Sequence, residues 1–262
     1  PPKPVDRRNF LKTAFSSLAA LAAGGGAYAF LWEPRRLVLR RVSVAFPGLP
    51  AGLAGLKIGQ ISDTHHGPYT GRAFVEEAVA LVRAERPDLI VLTGDYVHRG
   101  AAFIPGGIEP FASLRPPLGL YAVLGNHDHW HGAALTRECL ARAGARDLTN
   151  RRVVLERGGG TLCLAGVGDL WEDEQDLAAA LSGTDESSPR ILLSHNPDYA
   201  ELLPAAPRVD LVIAGHTHGG QVDLPILGAP VVPSAYGPKY RAGRGRGPRC
   251  PGLVSRGVGG LS

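Results

Sequence analysis

Five apolar runs of this chain, IGQISD, LIVLTGD, YAVLGNHD, ILLSHNPD and LVIAGHTH, each finish in a cluster of Asp, Asn or His. Near-continuous Val, Ile and Leu is the pattern of a strand covered on both faces. In α/β folds, ligands bind beyond the carboxyl ends of such strands. Five endings of one chemistry therefore predict one shared site. Between the runs, AFVEEAVALVRAERP reads as an amphipathic helix closed by Pro87, and HGAALTRECLARAG as a second helix ended by Gly144. RRVVLERGGGTLCLAGVGD reads as a hairpin around Gly158 to Gly160, and LVLRRVSVAF alternates like an outer strand.

The first ending carries Asp63 and His65, the second Asp95, and the third Asn126, His127 and Asp128. The fourth carries His195, with Asn196 beside it, and the fifth His216 and His218. Taken singly, each is as well explained as a turn, cap or satisfied core polar group. Taken together, every strand would have to end in ligand-type residues by accident. Carboxylates, imidazoles and one amide oxygen suit Mn, Fe or Zn rather than the all-oxygen shell of Ca. The set exceeds the needs of one ion, so two divalent metals sharing one carboxylate are expected.

In order and spacing, D-x-H at 63–65, GD at 94–95, GNHD at 125–128, the histidine at 195 and GHTH at 215–218 resemble the signature of the calcineurin-like metallophosphoesterases. GDYV, GDLW, SHNPD, GHTHGGQ and the closing SRGVG resemble in particular the bacterial membrane-associated phosphodiesterase branch of that family. The resemblance runs from about Leu56 onward. It implies an α/β, four-layer fold with a central mixed β-sandwich flanked by helices. It also implies Asp63, His65, Asp95 and His218 around one metal, with Asp95, Asn126, His195 and His216 around the other. Asp95 would bridge, and the glycines around His216 and His218 would give ions and phosphate room. His127 would protonate the leaving oxygen or hold a phosphoryl oxygen, with Asp128 as its orienting partner. Asn126, His127 and, at the rim, Arg241 would contact substrate. The implied reaction is hydrolysis of a phosphodiester or pyrophosphate, the nucleophile being a hydroxide held between the ions.

The first 32 residues stand apart. DRRNFLK is followed by a stretch without charge from Thr13 to Trp32, and Ala27-Tyr28-Ala29 has the form of a cleavage site. Arg7 and Arg8 resemble a twin-arginine export signal, with Asp6 where Ser or Thr is commoner. A cleaved signal and a retained anchor, long enough at roughly 20 uncharged residues to span a bilayer, both remain open. Residues 33–262 then form the catalytic domain, at the periplasmic face of the inner membrane or free in the periplasm. Without a Met anywhere, the chain opens on PPKPV, and a natural start upstream is expected. At the other end, the strand GLVSRG is expected to lack a neighbour, because no apolar run follows Leu261.

Composition narrows the rest. A hydrophobic content of 44% supports a full core, and a charge of +4 without interleaved aromatic stripes argues against a nucleic-acid-binding module. Three cysteines without a C-x-x-C pair predict neither a disulfide framework nor a structural zinc site. A monomer is expected. YGPKYRAGRGRGPR reads as a solvated basic loop or a mobile rim for an anionic headgroup, and Trp171 as a packed core residue or a contact for the leaving group. His66, His129 and His131 read as rim imidazoles. Some relatives of the branch cleave UDP-2,3-diacylglucosamine in lipid A synthesis, so a lipid-linked pyrophosphate is the alternative substrate. A non-catalytic, metal-holding envelope protein is the alternative of another class. An amidohydrolase would carry its H-x-H on the first strand, whereas here the pair closes the last.

Overall fold

The computed structural model describes residues 6–46, 48–222 and 228–259. The chain divides into two compact units, Pro1–Val38 and Leu39–Ser262. In the first, helix α1 (Arg7–Ala27) is capped by Asp6, whose side chain accepts from the Arg8 amide at 3.0 Å. Its Phe10, Leu11, Phe15, Leu18 and Leu21 are all exposed. Among the described residues, no helix is long and apolar enough to cross a membrane.

The second unit is built on two sheets. Strands β1 (Ile58–Ile61), β2 (Leu89–Leu92), β3 (Leu120–Ala122) and β4 (Ala145–Asp147) run parallel, in that order. The second sheet is mixed. Its hairpin of β5 (Arg151–Arg157) and β6 (Gly160–Gly166) leads to β7 (Arg190–Leu193) and β8 (Leu211–Ala214), then β10 (Pro251–Val254) and β9 (Gly243–Arg246). Alternation along the buried strands sorts their side chains into layers. Leu89 and Val91 of β2 face Ile191, Leu193, Leu211 and Ile213 of the other sheet in one core. Ile90 and Leu92 pack instead with Val75 and Val79 of α2 (Arg72–Ala84), Ile104 and Ile108 of α3 (Ile104–Ile108) and Leu140 of α4 (Asn126–Arg142). On the far side, Leu192, Val212 and Ala214 meet Leu177, Ala180 and Leu181 of α5 (Leu177–Leu181) and Tyr199 of α6 (Tyr199–Leu202). The result is the expected helix–sheet–sheet–helix stack.

Four expectations change. No strand forms over residues 37–46, where Val38, Val42 and Val44 are exposed; alternation needs a sheet to lie against. Helix α4 begins at Asn126 and not at His131, with a kink at Gly132, so His127 and Asp128 sit in its first turn. The strand in GLVSRG has neighbours on both sides, β8 parallel and β9 antiparallel. The Arg/Gly segment, read as a solvated basic loop or a mobile rim, supplies that second neighbour. It is pinned by Lys239 against Glu201 and by the buried Tyr240, whose hydroxyl donates to Glu201 at 2.5 Å. The chain end at Ser262 lies outside the described residues.

Leu193 is fully buried between the sheets two residues before His195, whereas Val154 on β5 is half exposed. Leu193→Ala should lower the free energy of urea unfolding by about 2–5 kcal/mol, and Val154→Ala by less than about 0.5 kcal/mol.

Candidate metal centre

The strand ends are held in an uncommon backbone conformation. Asp63, His65, Asp95, His216 and His218 all have positive φ, at 54°, 43°, 57°, 71° and 51°. Such conformations cost side-chain-bearing residues of order 1–3 kcal/mol each and persist where surrounding structure over-determines them. Hydrogen bonds between the endings supply that determination. The Asp63 amide donates to Gly94 O at 2.9 Å and the His65 amide to Asp95 O at 3.0 Å, within the first sheet. The His216 amide donates to Asp63 Oδ1 at 2.9 Å, joining the second sheet to the first. Glycines permit the approach. A Cβ on Gly125 would stand 2.3 Å from Asp95 Oδ1, and one on Gly215 would stand 2.0 Å from Ser62 Oγ. At these two positions the missing side chain makes room for a neighbouring strand end.

Three groups of possible ligands result, and two of them include a carboxylate, one of Asp63, His65 and His218 and one of Asp95, His195 and His216. In the first, His65 Nε2 and His218 Nε2 are 2.9 Å apart, and His218 Nε2 is 3.5 Å from Asp63 Oδ1. In the second, His216 Nδ1 lies 3.2 Å from His195 Nε2 and 3.1 Å from Asn126 Oδ1. Asp95 Oδ2 joins them, 3.5 Å from His65 Nε2 and 3.3 Å from His195 Nε2. Every one of these residues is buried.

The arrangement fits divalent cations. Nitrogens about 2.1 Å from a shared cation and roughly at right angles stand about 3 Å apart, close to the His65–His218 separation. Asp63 Oδ2 is buried without a hydrogen-bond partner, which is costly for a polar group unless something else meets it. His195 Nδ1 lies 2.7 Å from Thr93 O. A carbonyl can only accept, so Nδ1 carries a proton there and the ring is oriented with Nε2 toward Asp95.

Electrostatics without a cation are severe. Burial would lower the His195 imidazole, but the Asp95 carboxylate reverses this and holds it up at about 10. Burial also opposes ionisation of Asp95, yet His195 keeps its carboxyl well below the usual range. Burial and then His195 push His216 down to about 3, and burial takes His65 well below its ordinary value.

His127 lies at the edge of the centre. Its amide donates to Asp95 Oδ1 at 2.9 Å, and its ring meets Trp130 at a centroid distance of 4.6 Å. Burial takes the imidazole down to about 4, with Asp95 only partly opposing. Asp128 is not its orienting partner. Asp128 Oδ2 accepts from the amides of Asp95 at 2.8 Å and Gly125 at 2.9 Å, and Oδ1 from Tyr96 at 2.9 Å. Burial, and then Asp95, raise the Asp128 carboxyl to about 7. The ring beside His127 is His98, at 3.2 Å between the two Nδ1 atoms. Sequence reasoning missed His98, although it follows GDYV directly. It also missed Asp169, buried in GDLW, whose Oδ1 accepts from the Trp171 and Glu172 amides.

Trp171 stands edge-on to His216 at 4.5 Å and is about half exposed, as is Trp130. Neither is a core residue, so two indoles flank the centre. Asn196 is a turn residue, its Oδ1 accepting from the Asp198 amide at 3.0 Å. Arg241 is linked to the site through its backbone, its carbonyl accepting from Thr217 Oγ1 at 2.9 Å. His66 Nδ1 lies 2.8 Å from Phe103 O, His129 Nε2 lies 3.6 Å from Asp173 Oδ2, and His131 Nε2 accepts from the Arg99 amide at 3.1 Å, so none of the three joins either group.

Two outcomes test the geometry. His195 keeps its second proton to about 10 in the metal-free protein, and Nε2 can ligate only after that proton leaves. Through this one proton, metal affinity should rise about tenfold per pH unit from about pH 6 to 9. Calorimetric titrations in buffers of differing ionisation enthalpy measure the released proton, and a pH-independent affinity would remove His195 from the ligand set. Gly125→Ala should weaken metal binding by about 10- to 100-fold, read by elemental analysis after dialysis against a chelator.

The chain matches the family model described as calcineurin-like phosphoesterase over residues 56–220. It is 34% identical to the uncharacterized metallophosphoesterase YkuE of Bacillus subtilis over 98% of this chain and 92% of that protein. It is 32% identical to the phosphodiesterase YaeI of Escherichia coli, covering 87% and 83% of the two chains. With the UDP-2,3-diacylglucosamine pyrophosphatase LpxG of Chlamydia trachomatis the identity is 31%, over 74% of this chain and 72% of that one. A chain with this matched segment, these relatives and carboxylates and imidazoles gathered at its strand ends belongs to the calcineurin-like phosphoesterases, and it is a phosphoric ester hydrolase.

Proposed function

We propose that the chain is a two-metal phosphodiesterase. The observation that carries this reading is the position of Asp95, whose Oδ2 faces His65 Nε2 at 3.5 Å on one side and His195 Nε2 at 3.3 Å on the other. Asp63, His65 and His218 would hold one cation with Asp95, and Asn126, His195 and His216 the other with the same carboxylate. Two divalent ions of the Mn, Fe or Zn type supply Lewis acidity and an activated water for in-line attack at phosphorus. The protein's own part is to aim. Thr93 O and the Asp63–His216 hydrogen bond fix the rings and carboxylates before anything binds. His127 stands at the edge as the group that donates to a leaving or phosphoryl oxygen. Trp130 and Trp171, half exposed on either side, offer faces to an apolar or flat substituent of the ester, with Arg241 as a candidate contact for a second anionic group.

A pyrophosphate joined to a lipid is the second reading, favoured by the similarity to LpxG. Export through the twin-arginine machinery, and residence at the periplasmic face of the inner membrane, rest on Arg7, Arg8 and the uncharged stretch that follows them. We take residues 1–32 as that signal or anchor, and residues 33–262 as a monomeric catalytic domain.

The purified, metal-loaded chain should hydrolyse bis(4-nitrophenyl) phosphate faster than 4-nitrophenyl phosphate. A preference for a UDP-linked acylated sugar would shift the reading to pyrophosphatase, and no turnover on any of the three, with metal present, would leave a metal-holding binding protein. Asp95→Ala should abolish turnover and lower both metals together in elemental analysis, because only a bridging carboxylate belongs to two ions. Loss of one ion with full retention of the other would move the bridge elsewhere.

A further inference from the structure

His98, Arg99 and His127 form a short chain of hydrogen bonds whose proton positions are set by one member. Arg99 Nε donates to His98 Nε2 at 3.1 Å. A guanidinium has donors and no acceptor, so His98 Nε2 must be bare, and the neutral ring carries its proton on Nδ1. That Nδ1 lies 3.2 Å from His127 Nδ1, which must then accept. His127 is left neutral, with its proton on Nε2, across the ring from His98. His98 is half-buried between the centre and Arg99, with its ring 5.7 Å from that of His65. Arg99 is exposed and lies over the Tyr69 ring at 5.3 Å, and its amide donates to His131 Nε2.

We propose that His98, held by Arg99, is a positioning residue that locks His127 in the Nε2–H tautomer, so that His127 acts on the ester as a neutral hydrogen-bond donor to a phosphoryl oxygen. The proposal rests on the phosphodiesterase reading and chooses between the two roles left open for His127. A ring with a bare Nδ1 that gave up its Nε2 proton would become an anion, so this tautomer donates a hydrogen bond and keeps its proton. The same arrangement decides a competing use of these residues. His65, His98 and His127 also lie close enough together to hold a metal, but a protonated His98 Nδ1 has no lone pair to give one.

The test uses the full chain loaded with zinc and labelled with 15N in its histidine rings. Long-range 1H–15N spectra should show His127 as the Nε2–H tautomer in the wild type. His98→Asn, whose amide nitrogen falls near the place of Nδ1, should preserve that signature. His98→Ala and the exposed Arg99→Ala should lose it to a mixture of tautomers. Turnover of a 4-nitrophenyl and an alkyl phosphodiester should fall by the same factor in His98→Ala, about 10- to 100-fold, and recover in His98→Asn. A wild-type His127 protonated on Nδ1 or on both nitrogens would overturn the proposal. So would a loss confined to the alkyl ester, which would mark a general acid, or a third equivalent of zinc that disappears in His98→Ala. The expected tautomer in a protein that hydrolyses neither ester would leave the lock standing and remove the phosphodiesterase reading instead.

Discussion

Asp128 is buried beneath the metal centre and accepts hydrogen bonds from the backbone amides of Asp95, Tyr96 and Gly125. Two of those amides lie after β2 and the third after β3, so one carboxylate ties adjacent strand ends together. It thereby holds Asp95 at positive φ and keeps Gly125 close enough that no side chain would fit between them. A buried amide left without its acceptor costs about 1–3 kcal/mol. The aim of Asp95, and with it the meeting of the two ligand groups, depends on this carboxylate, which holds Asp95 by its backbone amide.

Around it, the centre uses two kinds of constraint. Backbone contacts between strand ends set where each ligand stands, as in the Asp63–His216 bond across the sheets. Side-chain contacts set which nitrogen is available, as Thr93 does for His195. Carboxylates, imidazoles and an amide oxygen held in this way make a donor set that suits divalent cations.

Much of this was legible in the sequence because it depends on local rules. The buried strands announce themselves by continuous Leu, Ile and Val, and the ligands by their place after those strands. Asp63, His65, Asp95, Asn126, His195, His216 and His218 follow those strands and lie close together. What sequence could not supply was direction. Asp128 follows His127 and was read as its partner, yet the first turn of α4 points it back at three amides. His98 falls after a strand end too, but nothing in one dimension says that its ring meets His127. The residues around Val42 and Val44 alternate well and still form no strand, because β pairing is decided by a neighbour that periodicity does not reveal.

Asp63 and His216, joined by a hydrogen bond, are 153 residues apart in the chain. Closing so long a loop carries a large entropic cost that is repaid only when both sheets exist to hold its ends. The β5–β6 hairpin and the helices rely on near neighbours and can form early. By contact order the ligand shell is expected to be a late product of folding, assembled when the two sheets close on each other. On this order, a cation arriving before then would find scattered carboxylates and imidazoles, and metal would be expected to select the finished sandwich and not to nucleate it.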